Sequence, residues 1–307
     1  MRAGRLVAPL IAAALALAGC ATHTEDRRPS HELVVGSGRD SQSMLLAAVY
    51  VAALRSYGFG ARTETADDPM ARLDSGAVTI VPALTGQVLQ TLQPGAMPLS
   101  DAQVYRAMIA ALPEGVLAGD YTTAAEDKPV LLVSQSTAKA WVGTDLSADL
   151  SALSKHCDGL IVGIVAGHQA PASVGSCRLT VPREFPDDTT MFAAVRAGQL
   201  TAGWTTTADP AIPGDLVALA DGKPALIRAE NVVPLYRRNA LTERQLLAIN
   251  EVAGVLDTAA RADMRRQVAG GADPQAVAGG WWWNTRWAAE DYCLRGNNRP
   301  NTGPNTC

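Results

Sequence analysis

The sequence predicts an α/β fold made of two similar units, with the chain crossing from the first unit to the second and later returning. Three observations predict it. Residues 31–86 read as strand, helix, strand, helix, strand, the pattern of a mainly parallel sheet with helical connections. The same rhythm restarts at residue 128. A third section then follows, so the chain leaves the first unit near residue 125 and re-enters it near 225. With 307 residues, 48% of them hydrophobic and 18% charged, the chain can fill one or two packed cores.

Each element has a local reason. The apolar run "HELVVGS" (31–37) ends in small residues and reads as a buried strand. "SQSMLLAAVYVAALRSYG" (41–58) has apolar residues at helical spacing, with Ser41 or Ser43 to cap its start and Gly58 its end. "GARTET" is a second strand, "DDPMARLDSG" a short helix, and "AVTIVPALTG" a third strand leading into a turn. In the second unit "KPVLLVSQ" (128–135) and "GLIVGIVA" (159–166) are strands, "LSADLSALSKHC" (146–157) an amphipathic helix. "PDDTTMFAAVRAG" (186–198) is a helix with Asp187 or Asp188 as cap, and "QLTAGW" the strand that delivers Trp204. The third section runs through "DLVALAD" and "NVVPLY" to helices at 242–256 and 258–269.

The N-terminus sets the compartment. Arg2 and Arg5 precede a short apolar stretch that ends "LAGC" at Cys20, similar to a bacterial lipobox. That similarity implies a signal peptide over residues 1–19, cleavage before Cys20 and lipid on its sulfur, with 20–31 as a polar tether. Each buried methylene of an acyl chain contributes about 0.8 kcal/mol, and two or more chains make a stable anchor. The expected location is the extracytoplasmic face of the bacterial cell membrane. In that oxidising space the four remaining cysteines favour disulfides. Cys157 and Cys177 are the first candidate pair, worth about 3 kcal/mol through loop entropy. Cys293 and Cys307 are the second.

Other chemistries are disfavoured. A formal net charge of −4 supplies no basic surface for nucleic acid. There is no His-Glu-x-x-His or C-x-x-C spacing for a metal, no Gly-x-Ser-x-Gly elbow, and no phosphate loop with its lysine. The reading is therefore a binding protein rather than an enzyme, without cofactor or metal. Small polar residues at three predicted strand ends, Gly36-Ser37-Gly38, Thr85-Gly86 and Trp204-Thr205-Thr206, mark where an open α/β sheet places ligands.

Five stretches, "VVGSGRDSQSMLLAAVYVAALRSYGF", "LDSGAVTIVPALTGQ", "AVRAGQLTAGWTTTADPAI", "LVALADGKPALIRAENVVPLYRR" and "INEVAGVLDT", resemble the extracytoplasmic solute-binding proteins for glycine betaine, choline and related osmoprotectants. The similarity spans about residues 32–278. It implies a type II periplasmic-binding-protein-like fold, with 32–125 plus 225–278 as lobe one, 126–224 as lobe two, and two hinge crossings between them. It also implies an ABC permease and its ATPase as partners, and a ligand-binding monomer that closes over a small polar solute. A quaternary ammonium osmoprotectant such as glycine betaine, choline or carnitine is one candidate ligand.

Members of that family hold the cation against aromatic rings, each contact giving roughly 0.5–2 kcal/mol. On this resemblance Trp204 supplies a ring, and Thr205, Thr206 and Thr207 supply hydroxyls. Ser37, Ser41 and the helix start that follows receive a carboxylate. Thr85 and Asn231 complete the candidate set; Asn231 and Glu230 serve equally well to satisfy backbone groups. One departure stands out. Where the family has Pro-Glu-Tyr-Thr-Gly, this chain has "PALTG", with Leu84 in place of the tyrosine. Tyr121, Tyr236 and Trp141 are the rings available to compensate. The alternative reading is a surface lipoprotein that keeps the receptor fold and binds a protein or cell-wall component. The segment 279–307 carries four of the six tryptophans and ends in a Gly/Pro/Asn-rich run, so it is expected to be a divergent, poorly ordered tail.

Overall fold

The computed structural model describes residues 32–142 and 149–296. The signal peptide, the Cys20 anchor, the tether through residue 31, and Cys307 with its pairing to Cys293 lie outside the described residues.

The chain opens with β1 (Leu33–Ser37), α1 (Ser41–Ser56), β2 (Ala61–Thr65), α2 (Pro69–Ser75), β3 (Ile80–Leu84), α3 (Thr85–Leu92), α4 (Asp101–Ala111) and β4 (Val116–Ala118). It then crosses to β5 (Pro129–Ser134), α5 (Gln135–Val142), a 3-10 helix (Leu150–Lys155), β6 (Val162–Val165), β7 (Ser173–Val174), β8 (Cys177–Arg178), β9 (Arg183–Phe185), α6 (Asp188–Arg196), β10 (Ala202–Thr206) and β11 (Leu216–Ala218). The return delivers β12 (Val232–Arg237), α7 (Glu243–Val255), α8 (Thr258–Ala269) and α9 (Pro274–Gly296).

Two five-stranded sheets result. The first has the order β2-β1-β3-β12-β4, parallel among β1, β2 and β3, with β12 antiparallel to both β3 and β4. The second has the order β11-β5-β10-β6-β9, with β6 parallel to β10 and β9, and β5 antiparallel to β10 and β11. Thus β12, late in sequence, completes the sheet that the first third of the chain begins. The two crossing segments run side by side, since Glu126 bridges Asn231 antiparallel and Asp127 N–H donates to Glu230 O at 2.8 Å.

Helix α1 is buried along most of its length, from Leu45 to Leu54, and packs with α7, α8 and α9 over the first sheet. The other face of that sheet is covered by α2, α3 and α4 through Leu73, Leu89, Val104 and Met108. In the second sheet, Leu131, Val133, Ile164 and Trp204 pack on one side and Leu132, Met191, Phe192 and Val195 on the other. Cys157 and Cys177 form a disulfide with a Cα–Cα distance of 5.5 Å, tying the end of the 3-10 helix to β8.

Several local expectations change. The start of α1 is capped by Asp40, whose carboxylate accepts from Ser43 N–H at 2.8 Å, rather than by Ser41 or Ser43. A carboxylate also meets the positive helix end more favourably than a hydroxyl. Of the two caps expected for α6, Asp187 serves, accepting from Thr190 N–H. The amphipathic helix expected at 146–157 is, where described, the short 3-10 helix. Residues 279–296, expected to be poorly ordered, continue α9. Its Trp282 is 3% exposed in the core beneath α1, and Arg286 lies over the Tyr57 ring at 5.3 Å.

Candidate functional site

Ser37 and Thr206 end β1 and β10, and Thr85 begins α3 directly after β3. The structure sorts the predicted site residues into three places. Thr206 joins a buried charge cluster, Thr85 and Asn231 bond the start of α3 to the return crossing, and Trp204 lies in a core.

The charge cluster centres on Asp127 in the first crossing. Its carboxylate accepts from Gln42 Nε2 at 2.8 Å, Arg261 Nη2 at 3.0 Å and Arg265 Nη1 at 3.2 Å. Thr206 donates to it as well. Arg265 Nη1 also donates to Ala208 O at 2.7 Å, just beyond β10, so one guanidinium ties α8 to the first crossing and to the second sheet. Asp127 is 6% exposed and Arg261 fully buried. Burial pushes the Asp127 carboxyl up, but the two guanidiniums, helped by Thr206 and Gln42, outweigh it and hold the group below its ordinary range. Burial pulls Arg261 down. Ser37 is buried and its Oγ has no partner, while Ser41 is exposed on the first turn of α1.

Thr85 and Asn231 are both buried and exchange backbone contacts. Thr85 N–H donates to Asn231 O at 3.0 Å, and Asn231 N–H donates to Thr85 Oγ1 at 3.1 Å. Asn231 Nδ2 donates to Thr122 O, which leaves its Oδ1 without a partner. Thr205 donates its hydroxyl to the Asp209 carboxylate and so fixes the turn after β10.

Trp204 does not project into a slot. It is 1% exposed and sits in the core of the second sheet beside Leu131 and Ile164, its register partners on β5 and β6. The reason is strand length. The expected strand stops at residue 204, but β10 runs on to Thr206, so the ring lies two residues short of the strand end. Leu84, at the departure from the family pattern, is likewise buried, in the core of the first sheet. Of the rings available to compensate, Trp141 stacks on His156 at 5.1 Å, Tyr121 packs on Tyr105 at 4.5 Å, and Tyr236 is buried in β12.

Glu230 in the return crossing was open to two readings and here satisfies backbone. Its carboxylate accepts from Gln87 N–H at 2.9 Å and from Gly86 N–H, taking the start of α3. A Cβ on Gly86 would stand 2.6 Å from both Ala229 O and the Glu230 carboxylate, so only glycine fits. Burial pushes Glu230 up to about 7 against those two donors.

On the side of the crossings away from Asp127 is a cavity of about 320 Å³. It is lined by Ser100 and Asp101 at the start of α4, by Glu126 and Lys128 of the first crossing, and by Asp221 with its following turn. Asn231 also lines it. Lys128 Nζ lies 3.2 Å from both the Glu126 and the Asp221 carboxylates. Asp221 Oδ1 accepts from Gly222 and Leu226 N–H, each at 2.8 Å, which shapes its turn. Asp101 has no ion-pair partner among the described residues. Asn231 was the one predicted site residue found here. The charged triplet Glu126-Asp127-Lys128 ahead of β5 is plain in the sequence, but nothing local ties it to Asp101 or Asp221.

No group of His, Cys, Asp and Glu suited to a metal occurs among the described residues, and no helix among them is long and apolar enough to cross a membrane. The mixed α/β architecture with two sheets is that of type II periplasmic-binding-protein-like structures. The chain belongs to the family described as the substrate binding domain of ABC-type glycine betaine transport system, whose model matches residues 31–284. A comparison with curated protein sequences finds no match. Among solved structures, the fold is similar to a glycine betaine/carnitine/choline ABC transporter protein at TM-score 0.68 and 14% identity, covering 83% of this chain and 99% of that one. It is similar to apo YehZ from Escherichia coli at TM-score 0.62 and 17% identity, covering 87% and 99%. A choline-binding protein in complex with choline matches at TM-score 0.51 and 15% identity, covering 86% and 92%.

Proposed function

We propose that this protein is the solute receptor of an ABC importer, tethered by lipid on Cys20 to the outer face of the cytoplasmic membrane, and that it holds a small cationic solute in the cavity at the crossings. Membership of the substrate-binding family carries the receptor role. The cavity's walls support the location. Asp101 belongs to the half built on the first sheet, Asp221 follows β11 of the second, and Lys128 lies between them. A solute touching all three gains binding energy only when the halves are suitably arranged, and that couples occupancy to closure. Its volume of about 320 Å³ is at the small end of ligand pockets.

The partners on this reading are an ABC permease and its ATPase, which recognise the closed form. The similar solved structures are of proteins for choline, carnitine and glycine betaine, and these are the first solutes to try. A second reading, a lipoprotein that keeps the fold and binds a protein or cell-wall component, is favoured by the burial of both Leu84 and Trp204 away from any ring-lined site. Thermal unfolding of the mature chain against a panel of amines, betaines, amino acids and sugars separates the two. A true ligand at 100 times its Kd adds about 2.7 kcal/mol. A panel in which no solute raises the melting temperature removes the receptor reading and leaves the second.

A further inference from the structure

The cavity that the proposed receptor role makes the solute site contains no aromatic side chain. Its lining runs from Leu99 to Asn231 without Phe, Tyr or Trp. A quaternary ammonium presents only C–H groups, and proteins hold it with ring faces. Trp204 and Leu84 are enclosed in cores, while Tyr121 and Trp141 are engaged with Tyr105 and His156. The cavity offers acceptors instead. Asp101 stands at the start of α4 with a carboxylate that accepts from Ala102 N–H at 2.7 Å and has no cationic partner among the described residues. Ser100 and Thr123 add hydroxyls. Asn231, 2% exposed, lines the same space and has spent its amide donor on Thr122 O, leaving an acceptor oxygen unmet.

The two lysines do not reverse this. Lys128 is already held between Glu126 and Asp221, and Lys223 is exposed at the rim. Counting Asp101, Glu126 and Asp221 against Lys128 and Lys223, three carboxylates face two ammonium groups, a net charge of −1. We infer that the solute is a cation bearing N–H donors, a primary amine or guanidinium compound, and not a quaternary ammonium such as the choline held by a similar structure. An ammonium N–H on Asp101 makes a charge-assisted hydrogen bond, and a donor reaching Asn231 Oδ1 satisfies a buried acceptor. Three methyl groups on the nitrogen remove both contacts and fill a small space.

The test uses pairs that differ only in methylation, titrated calorimetrically into the mature full chain: ethanolamine against choline, glycine against glycine betaine, and β-alanine against its trimethyl form. The expected result is that, in at least one pair, the N–H member binds about tenfold or more tightly than its methylated partner, a difference of about 1.4 kcal/mol. Asp101→Asn, at a half-buried helix start, keeps the melting temperature near that of the parent and narrows the gap. Equal affinities, or tighter binding of the quaternary member, overturn the inference and leave the receptor role intact. If no member of any pair binds while a solute with neither an amine nor a guanidinium raises the melting temperature, the inference is overturned and the receptor role again survives. If nothing binds at all, both fall together.

Discussion

The two faces of the crossing ribbon use the same kinds of residue for opposite ends. Glu126, Asp127 and Lys128 are consecutive, and the two-residue period of extended chain sends Asp127 to one face and its neighbours to the other. On its face, Asp127 is enclosed and matched by Arg261, Arg265, Gln42 and Thr206. On the opposite face, Glu126 and Lys128 line an open space whose further carboxylate, Asp101, has no such escort. A carboxylate enclosed by two guanidiniums, an amide and a hydroxyl holds structure together, whereas a carboxylate without a cationic partner in an open space is free to meet a solute. The comparison can be broken by changing one residue on each face.

The largest effect is expected on the closed face. Asp127→Ala leaves the buried Arg261 guanidinium without its partner and removes the anchor that Arg265 shares between α8 and Ala208. Breaking a buried pair from one side costs about 3–5 kcal/mol. Urea unfolding of the variant should show a loss of that size with little change in slope. A loss under about 1 kcal/mol would mean that the cluster is not the structural element described here.

Glu230 sharpens the comparison because it belongs to the closed side yet titrates. Its pKa in the folded protein is about 7, raised by burial from an ordinary 4.5, with Gly86 and Gln87 N–H and Arg228 opposing the shift and Asp127 adding to it. The folded state therefore holds this proton more tightly than the unfolded chain. The sign follows: the Glu230 contribution to stability is fully present below pH 4.5, falls as pH rises, and is lost once pH passes about 7. The shift corresponds to at most about 3 kcal/mol. Glu230→Gln removes the titration, so the melting temperature of the variant should decline less than the parent's between pH 5 and about 8. Parallel curves would show that Glu230 does not titrate in this window.

How far these features could be read from sequence depends on how local their causes are. The strand–helix rhythm was readable because hydrophobic periodicity is a local signal, and β12 could be expected as a returning segment for the same reason. Helix α3 reads as a turn in the sequence because nothing nearby announces it. Leu84 at its N-cap makes no side-chain cap, and the acceptor for its first N–H groups is Glu230, 143 residues from Gln87. The helix through Trp281 and Trp282 was missed because Gly279 and Gly280 lower intrinsic helicity, and burial against α1 overrides that. Trp204 was assigned to a site because two residues of strand length decide whether a ring ends in a core or beyond it. The cavity was invisible for a different reason. Asp101, Glu126, Lys128 and Asp221 are unremarkable loop and helix-start charges until folding brings them together.

The smallest effect is expected on the open face. The Glu126 and Lys128 side chains keep 29% and 17% of their exposure, so water shares in screening the pair. Partly exposed ion pairs contribute about 0–1 kcal/mol, and Lys128 retains Asp221 at 3.2 Å when Glu126 is neutralised. Glu126→Gln should therefore unfold within about 1 kcal/mol of the parent, while removing one of the three carboxylates around the cavity. If the open face serves binding, the variant loses affinity for a cationic solute without losing stability, the reverse of Asp127→Ala. Calorimetric titration of both proteins with the same amine, beside their urea curves, makes that comparison directly. A Glu126→Gln protein that binds the amine unchanged would remove Glu126 from the solute's surroundings and reduce the difference between the faces to Asp101 alone.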